Sequence, residues 1–186
     1  MAFTEVSSVL NMMTNNGDNM IKKITPILFL LSATCAWAVN SPINGLVQAN
    51  CSIYTTTPGE YGNPSPWKLS TTSADGGVEA IIRVDIAAAD YYKTKFTHPN
   101  SFSSSPTLTD GVAWTGSTTV SSHSVSGMSA YEAAKVVVSN TTTYNMTLAG
   151  STWFKVASTA SYGSADTTAL PAGNYTALIV AECIAK

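Results

Sequence analysis

Short stretches of this chain alternate apolar and polar residues, and glycine, proline or asparagine breaks them at close intervals. Successive side chains of an extended backbone point to opposite faces, so such alternation predicts strands buried on one side. The clearest case is 78–86, where Val78, Ala80, Ile82, Val84 and Ile86 share one face. A second runs from 43 to 53: Ile43, Gly45, Val47, Ala49, Cys51 and Ile53 lie on one face and Asn44, Gln48, Asn50 and Ser52 on the other, with Leu46 the exception. Shorter segments of this kind occupy 67–72, 111–115, 118–125, 136–138, 144–148, 153–158 and 175–184. Residues 57–66 (TPGEYGNPSP) and 97–109, rich in Ser, Pro and Thr, are expected as loops. Only 87–95 and 128–134 offer brief helical turns. Seven to nine short strands at roughly ten-residue spacing, without a long helix, predict an all-β protein built as a β-sandwich. No repeat at a fixed period points to a solenoid or propeller.

Water must then be faced without many charges. Charged residues make up 11% of the chain, against roughly 25% in a typical soluble domain, whereas residues 39–186 hold 20 Ser and 21 Thr. Hydroxyls do here what charges do elsewhere. The net charge of −2 and the single arginine, Arg83, leave no basic patch for nucleic acid or an anionic membrane.

The apolar content near the start has a separate explanation. In 20–38 (MIKKITPILFLLSATCAWA), Lys22 and Lys23 precede a short apolar run, and Ala36-Trp37-Ala38 gives a small-x-small exit site. This reads as a secretory signal peptide, with 1–19 a mis-called start or an extension of its n-region. The run is far below the roughly 20 residues of a membrane helix, so no membrane span is expected in the mature chain. Cys35 leaves with the signal. Cys51 and Cys183 remain as an even pair in an exported chain, which predicts one disulfide, the alternative being two buried free thiols.

Catalytic chemistry finds little support. His98 and His123 are the only histidines. Neither lies in a nucleophile-elbow context, and both are expected to be exposed polar residues. Asp85 and Asp90 are expected to be solvated turn or cap residues rather than an acid and base pair. No metal-ligand spacing, for zinc or for calcium, is present, so neither cofactor nor metal is expected and the chain is not read as an enzyme. Trp67, Trp114 and Trp153 could stack on sugars, but each falls in or beside a predicted strand and is expected in the core. The glycosylation-type triplets at Asn50, Asn140, Asn145 and Asn174 arise readily by chance in so Ser/Thr-rich a chain.

The segment LPAGNYTALIVAECIAK, residues 170–186, resembles the last strand of chaperone–usher fimbrial subunits, including adhesins of the Dr/Afa type, in which a Pro-x-Gly-Asn-Tyr-Thr turn opens an alternating terminal strand. The resemblance is specific over these residues and generic elsewhere. It implies an immunoglobulin-like Greek-key sandwich over 50–186 that lacks its final strand. Gly173, Tyr175, Leu178 and Val180 would form the turn and C-terminal strand. Residues 39–49 would be a donor strand that fills a neighbour's groove through Ile43, Val47 and Ala49, with Gly45 at the crowded point. The function implied is that of a structural subunit of a bacterial surface fimbria, assembled head to tail by donor-strand exchange and serving adhesion or biofilm formation. Its partners would be copies of itself or related pilins, a periplasmic chaperone, an outer-membrane usher, and a host glycan or surface. Its route would run through the periplasm to the cell surface. The alternative is a self-contained secreted sandwich that binds carbohydrate or a host surface. A bridge between Cys51 and Cys183 would join the two strands that flank the groove, so either it lies at one pole or the groove is filled internally.

Overall fold

Alternation becomes ten strands in a computed structural model that describes residues 50–163 and 168–186. They are β1 (Cys51–Thr57), β2 (Gly62–Ser65), β3 (Lys68–Ser70), β4 (Ala80–Ile86), β5 (Tyr92–Thr97), β6 (Val112–His123), β7 (Val136–Val138), β8 (Thr141–Met146), β9 (Gly150–Tyr162) and β10 (Val180–Ala185). All pair antiparallel in two sheets. The larger has the order β1-β4-β9-β3-β2, with β6 along the other edge of β9; the smaller has the order β10-β5-β8-β7. The expected all-β sandwich is what the chain forms. The expected donor strand 39–49, signal peptide 20–38 and segment 1–19 lie outside the described residues.

Between the sheets, every second residue of β4 (Ala80, Ile82, Val84, Ile86) and of β9 (from Thr152 to Tyr162) is buried. They meet Thr94 and Phe96 of β5 and Thr142, Tyr144 and Met146 of β8. Phe96, Tyr144 and Phe154 form the centre, with ring centroids 4.6 to 6.0 Å apart. Each fully buried ring or aliphatic chain contributes on the order of 1.5–3 kcal/mol. The Tyr144 hydroxyl, taken out of water, donates to the Thr118 carbonyl at 2.8 Å, and burial pushes its pKa well up.

Several expectations are corrected. Residues 87–95 form no helical turn. Asp90 takes a positive φ of 60° in a tight bend, and 92–97 are drawn into β5 because both its edges are paired, one with β8 and one with β10. The segments 111–115 and 118–125 are one strand, β6: Gly116 carries the ladder through to Ser158 without interruption. Part of the loop 57–66 is strand β2, an edge where Pro64 needs no ladder donor. The brief helix expected at 128–134 is present as a 3-10 turn, Ser126–Ala130, running into a single α turn, α1 (Tyr131–Ala134). Its Met128 and Tyr131 close one end of the core.

Candidate functional site: the open flank between two edge strands

Each sheet ends, on the same flank of the sandwich, in a strand paired on one side only. β1 pairs with β4 and β10 with β5; among the described residues neither has a ladder partner on its other edge. Unpaired N–H and C=O groups along an edge attract another strand. Here two such edges, one from each sheet, face one flank.

Cys51 and Cys183 hold them together. The two are disulfide-bonded with Cα atoms 6.3 Å apart and 132 residues between them in sequence. Cys51 stands opposite Ile86 at the end of β4, and Cys183 opposite Thr94 in β5. The bridge therefore clamps one end of the flank and leaves β1 from Ser52 to Thr57 and the approach to β10 apart. Between the clamped strands, Ile53 of β1, Ala181 of β10 and Ile179 just before it point toward the core but are only partly buried. Their counterparts on β4 and β9 are fully covered. The core is closed at its centre and thinly covered on this side.

The C-terminal strand is present, and the structure shows which of its faces points inward. Val180 opens β10 and Leu178 precedes it, yet both point outward, 49% and 64% exposed, with Ile184. The groove-facing set is Ile179, Ala181 and Cys183. The larger aliphatic residues sit on the outward phase, which hid the inward one. The disulfide carried the signal, because a cysteine bonded across the sandwich must point inward, and that fixes the odd-numbered residues as the inner face. In the turn, the Tyr175 hydroxyl donates to the Pro171 carbonyl at 2.6 Å, and Gly173 packs where a Cβ would meet the Pro106 ring at 2.5 Å. Ile43, Gly45, Val47 and Ala49 lie outside the described residues.

The remaining candidates divide. His98 is not exposed: it is 4% accessible, with Nε2 at 3.3 Å from the Thr142 hydroxyl and 3.4 Å from that of Thr118. Its ring lies against Gly116, where a Cβ would come within 2.4 Å of it. Desolvation lowers its pKa. His98 therefore extends the inward phase of β5 by one residue beyond the strand, which is why a histidine in a loop-like context is buried. His123, at the end of β6, is half-buried. Asp85 accepts from Arg83 Nε at 2.7 Å, and Asp90 pairs with Lys186. None of the three tryptophans is buried. Trp153 faces outward under the Arg83 guanidinium at 5.1 Å, Trp67 sits in the turn between β2 and β3, and Trp114 is half-buried on β6. The core reading fails for each for its own reason: Trp67 lies in a turn, Trp153 on the outer face of β9, and Trp114 where β6 runs beyond the opposite sheet. Among the described residues, no three His, Cys, Asp or Glu side chains gather as metal ligands, and no helix is long and apolar enough to cross a membrane.

Compared with known proteins, the chain matches no protein family, no curated protein and no solved structure.

Proposed function

We propose that this chain is a structural subunit of a bacterial surface filament, assembled head to tail by donor-strand exchange. Its sandwich is then of the immunoglobulin-like Greek-key type, and residues 39–49 of one copy complete the flank of the next. The observation that carries the reading is the flank itself: two edge strands, one per sheet, joined at a single disulfide over core residues that remain partly uncovered. An extended segment laid between β1 and β10 would gain ladder hydrogen bonds from the free edges. Its alternate side chains would cover Ile53, Ile179 and Ala181. The period-2 pattern of Ile43, Gly45, Val47 and Ala49 is suited to that place. An interface that joins the flank of one copy to the leading segment of another is heterologous and does not close, so repetition gives a filament.

The reading includes a signal-directed route to the periplasm, a chaperone that covers the flank until assembly, an outer-membrane usher, and a role in adhesion or biofilm formation. It is tested in trans. A subunit deleted for 39–49 should be recovered only with a chaperone, and a synthetic peptide of 39–49 should bind and stabilise it. The same peptide carrying Val47→Asp should do neither. Filaments unchanged by the deletion would refute the donor assignment and favour a self-contained secreted sandwich, whose 39–49 segment packs on its own subunit.

A further inference from the structure

β6 and β9, of 12 and 13 residues, are about twice as long as β5 and β8, of six each. The smaller sheet gives out at His98, whose N–H donates to the Asn140 carbonyl at 2.8 Å. Beyond that rung the inward residues of the larger sheet, Val112 and Trp114 of β6 and Ala160 and Tyr162 of β9, have no strand opposite them. The irregular segment 98–111 covers them instead. Unstructured connections of this length inside a small domain are uncommon and usually serve a function.

This loop is fixed in place. Asn140 Nδ2 donates to the His98 carbonyl at 3.0 Å, Ser103 N to the Thr176 carbonyl and Thr176 N to the Ser104 carbonyl at 2.8 Å each. Thr109 N and Asp110 N both donate to the Tyr162 hydroxyl, at 3.1 and 3.2 Å. Phe102 is thereby held in an aromatic group, its ring edge-on to Trp114 at 4.7 Å, Tyr175 at 5.0 Å and Tyr61 at 6.4 Å. The cover is incomplete. A cleft of about 340 Å³ stays open between loop and overhang, lined by Asn100, Ser101, Phe102, Ser105, Leu108 and Trp114.

The lining states its ligand's chemistry. It combines half-buried ring and aliphatic surface, Val112 included, with one exposed carboxamide and two exposed hydroxyls, and it contains no charged side chain. A carboxylate, phosphate or ammonium ligand would find no side chain of opposite charge in the lining. A wholly apolar ligand would make no use of the exposed amide and hydroxyls that rim the cleft. A saccharide has what is left: an apolar C–H face for an aromatic ring and a rim of hydroxyls for neutral donors and acceptors. The pinned loop lowers the ordering cost of binding, and the volume is at the small end of ligand sites.

We propose that this cleft binds a neutral saccharide of one or two sugar units, stacked against Trp114, with its hydroxyls bonded to Asn100, Ser101 and Ser105. The site does not rest on donor-strand assembly. Its lining comes from residues 100–114, and none of it from β1 or β10.

The test is a titration of the full exported chain with lactose, maltose and cellobiose, and in parallel with sialyllactose and a heparin-derived oligosaccharide. It is followed by tryptophan fluorescence and by amide NMR shifts over 100–114. At least one neutral sugar should give a saturable response centred on these residues. Asn100→Ala should weaken it tenfold or more with the melting temperature unchanged, and Trp114→Phe should weaken it as much at the cost of a small drop in melting temperature from lost packing on Phe102. Three results would overturn the proposal: no saturable response to any neutral sugar at about 10 mM, a response to the anionic glycans alone, or binding that both variants retain.

Discussion

Gly116 and His98 make the sharpest energetic test of the packing between the sheets. An alanine at 116 would place its Cβ 2.4 Å from His98 Cγ and 2.6 Å from both Cβ and Nδ1, about 1 Å inside ordinary contact. The imidazole cannot swing away cheaply. Its Nε2 lies between the Thr118 and Thr142 hydroxyls, and its backbone is paired to Asn140. Overpacking of this kind costs about 1–3 kcal/mol, so Gly116→Ala should lose roughly that amount in urea unfolding at constant m. His98→Ala alone should cost about 2–4 kcal/mol through the void and the two hydroxyls left without the ring. In the double variant the ring atoms are gone but the Cβ of residue 98 remains, 2.6 Å from the new methyl, so the second substitution should cost less than it does alone without becoming free. The coupling energy should therefore relieve part of the single cost of Gly116→Ala, about 0.5–2 kcal/mol. Strictly additive effects would show that the ring does not rest on Gly116, and that β6 and the end of β5 do not pack as described.

The same histidine sets a pH dependence. Burial lowers its folded pKa below the ordinary value of about 6.5, so its contribution is fully present above pH 6.5 and is lost as pH falls toward the folded value. Stability should drop by at most about 1.4 kcal/mol per pH unit in that window, and this slope should vanish in His98→Gln; an unchanged slope would assign the titration elsewhere. Cys183→Ser frees the unfolded chain of a closure over 132 residues, about 5 kcal/mol in the chain-entropy model. Cys51→Ser and the double variant should cost the same, and equal melting temperatures with and without reductant would refute the bridge. Tyr144→Phe removes one buried donor from the Thr118 carbonyl, but that carbonyl also accepts from Lys135 Nζ at 2.9 Å. The loss should be only about 0.5–1.5 kcal/mol, and a loss of several kcal/mol would mean that Lys135 does not reach it.

The sandwich was legible wherever one face of a strand is buried, because alternation then records burial directly; Val84 and Ile86 are typical. It was misread where another rule competed. Three consecutive alanines at 87–89 favour a helical turn locally, yet Tyr92, Thr94 and Phe96 are committed to a ladder on both sides. Gly116 resembled a break between two strands, and is instead the residue small enough to pass beneath the His98 ring. Trp114 shows that a large ring within a strand need not be core when the strand outruns its neighbour, a length mismatch that only the assembled sheets reveal. The open flank was legible in outline, from the cysteines and the terminal alternation. Which phase faces inward was obscured by the bulk of Leu178, Val180 and Ile184.

Assembly through that flank is tested most directly by a denaturing gel of protein extracted from the cell surface, run unboiled beside boiled. Donor-strand polymers predict a ladder of multiples in the unboiled lane that collapses to the monomer band on boiling, and loss of that ladder when residues 39–49 are deleted. A single monomer band in both lanes would contradict the account, because it would mean that the flank between β1 and β10 recruits no strand from another copy.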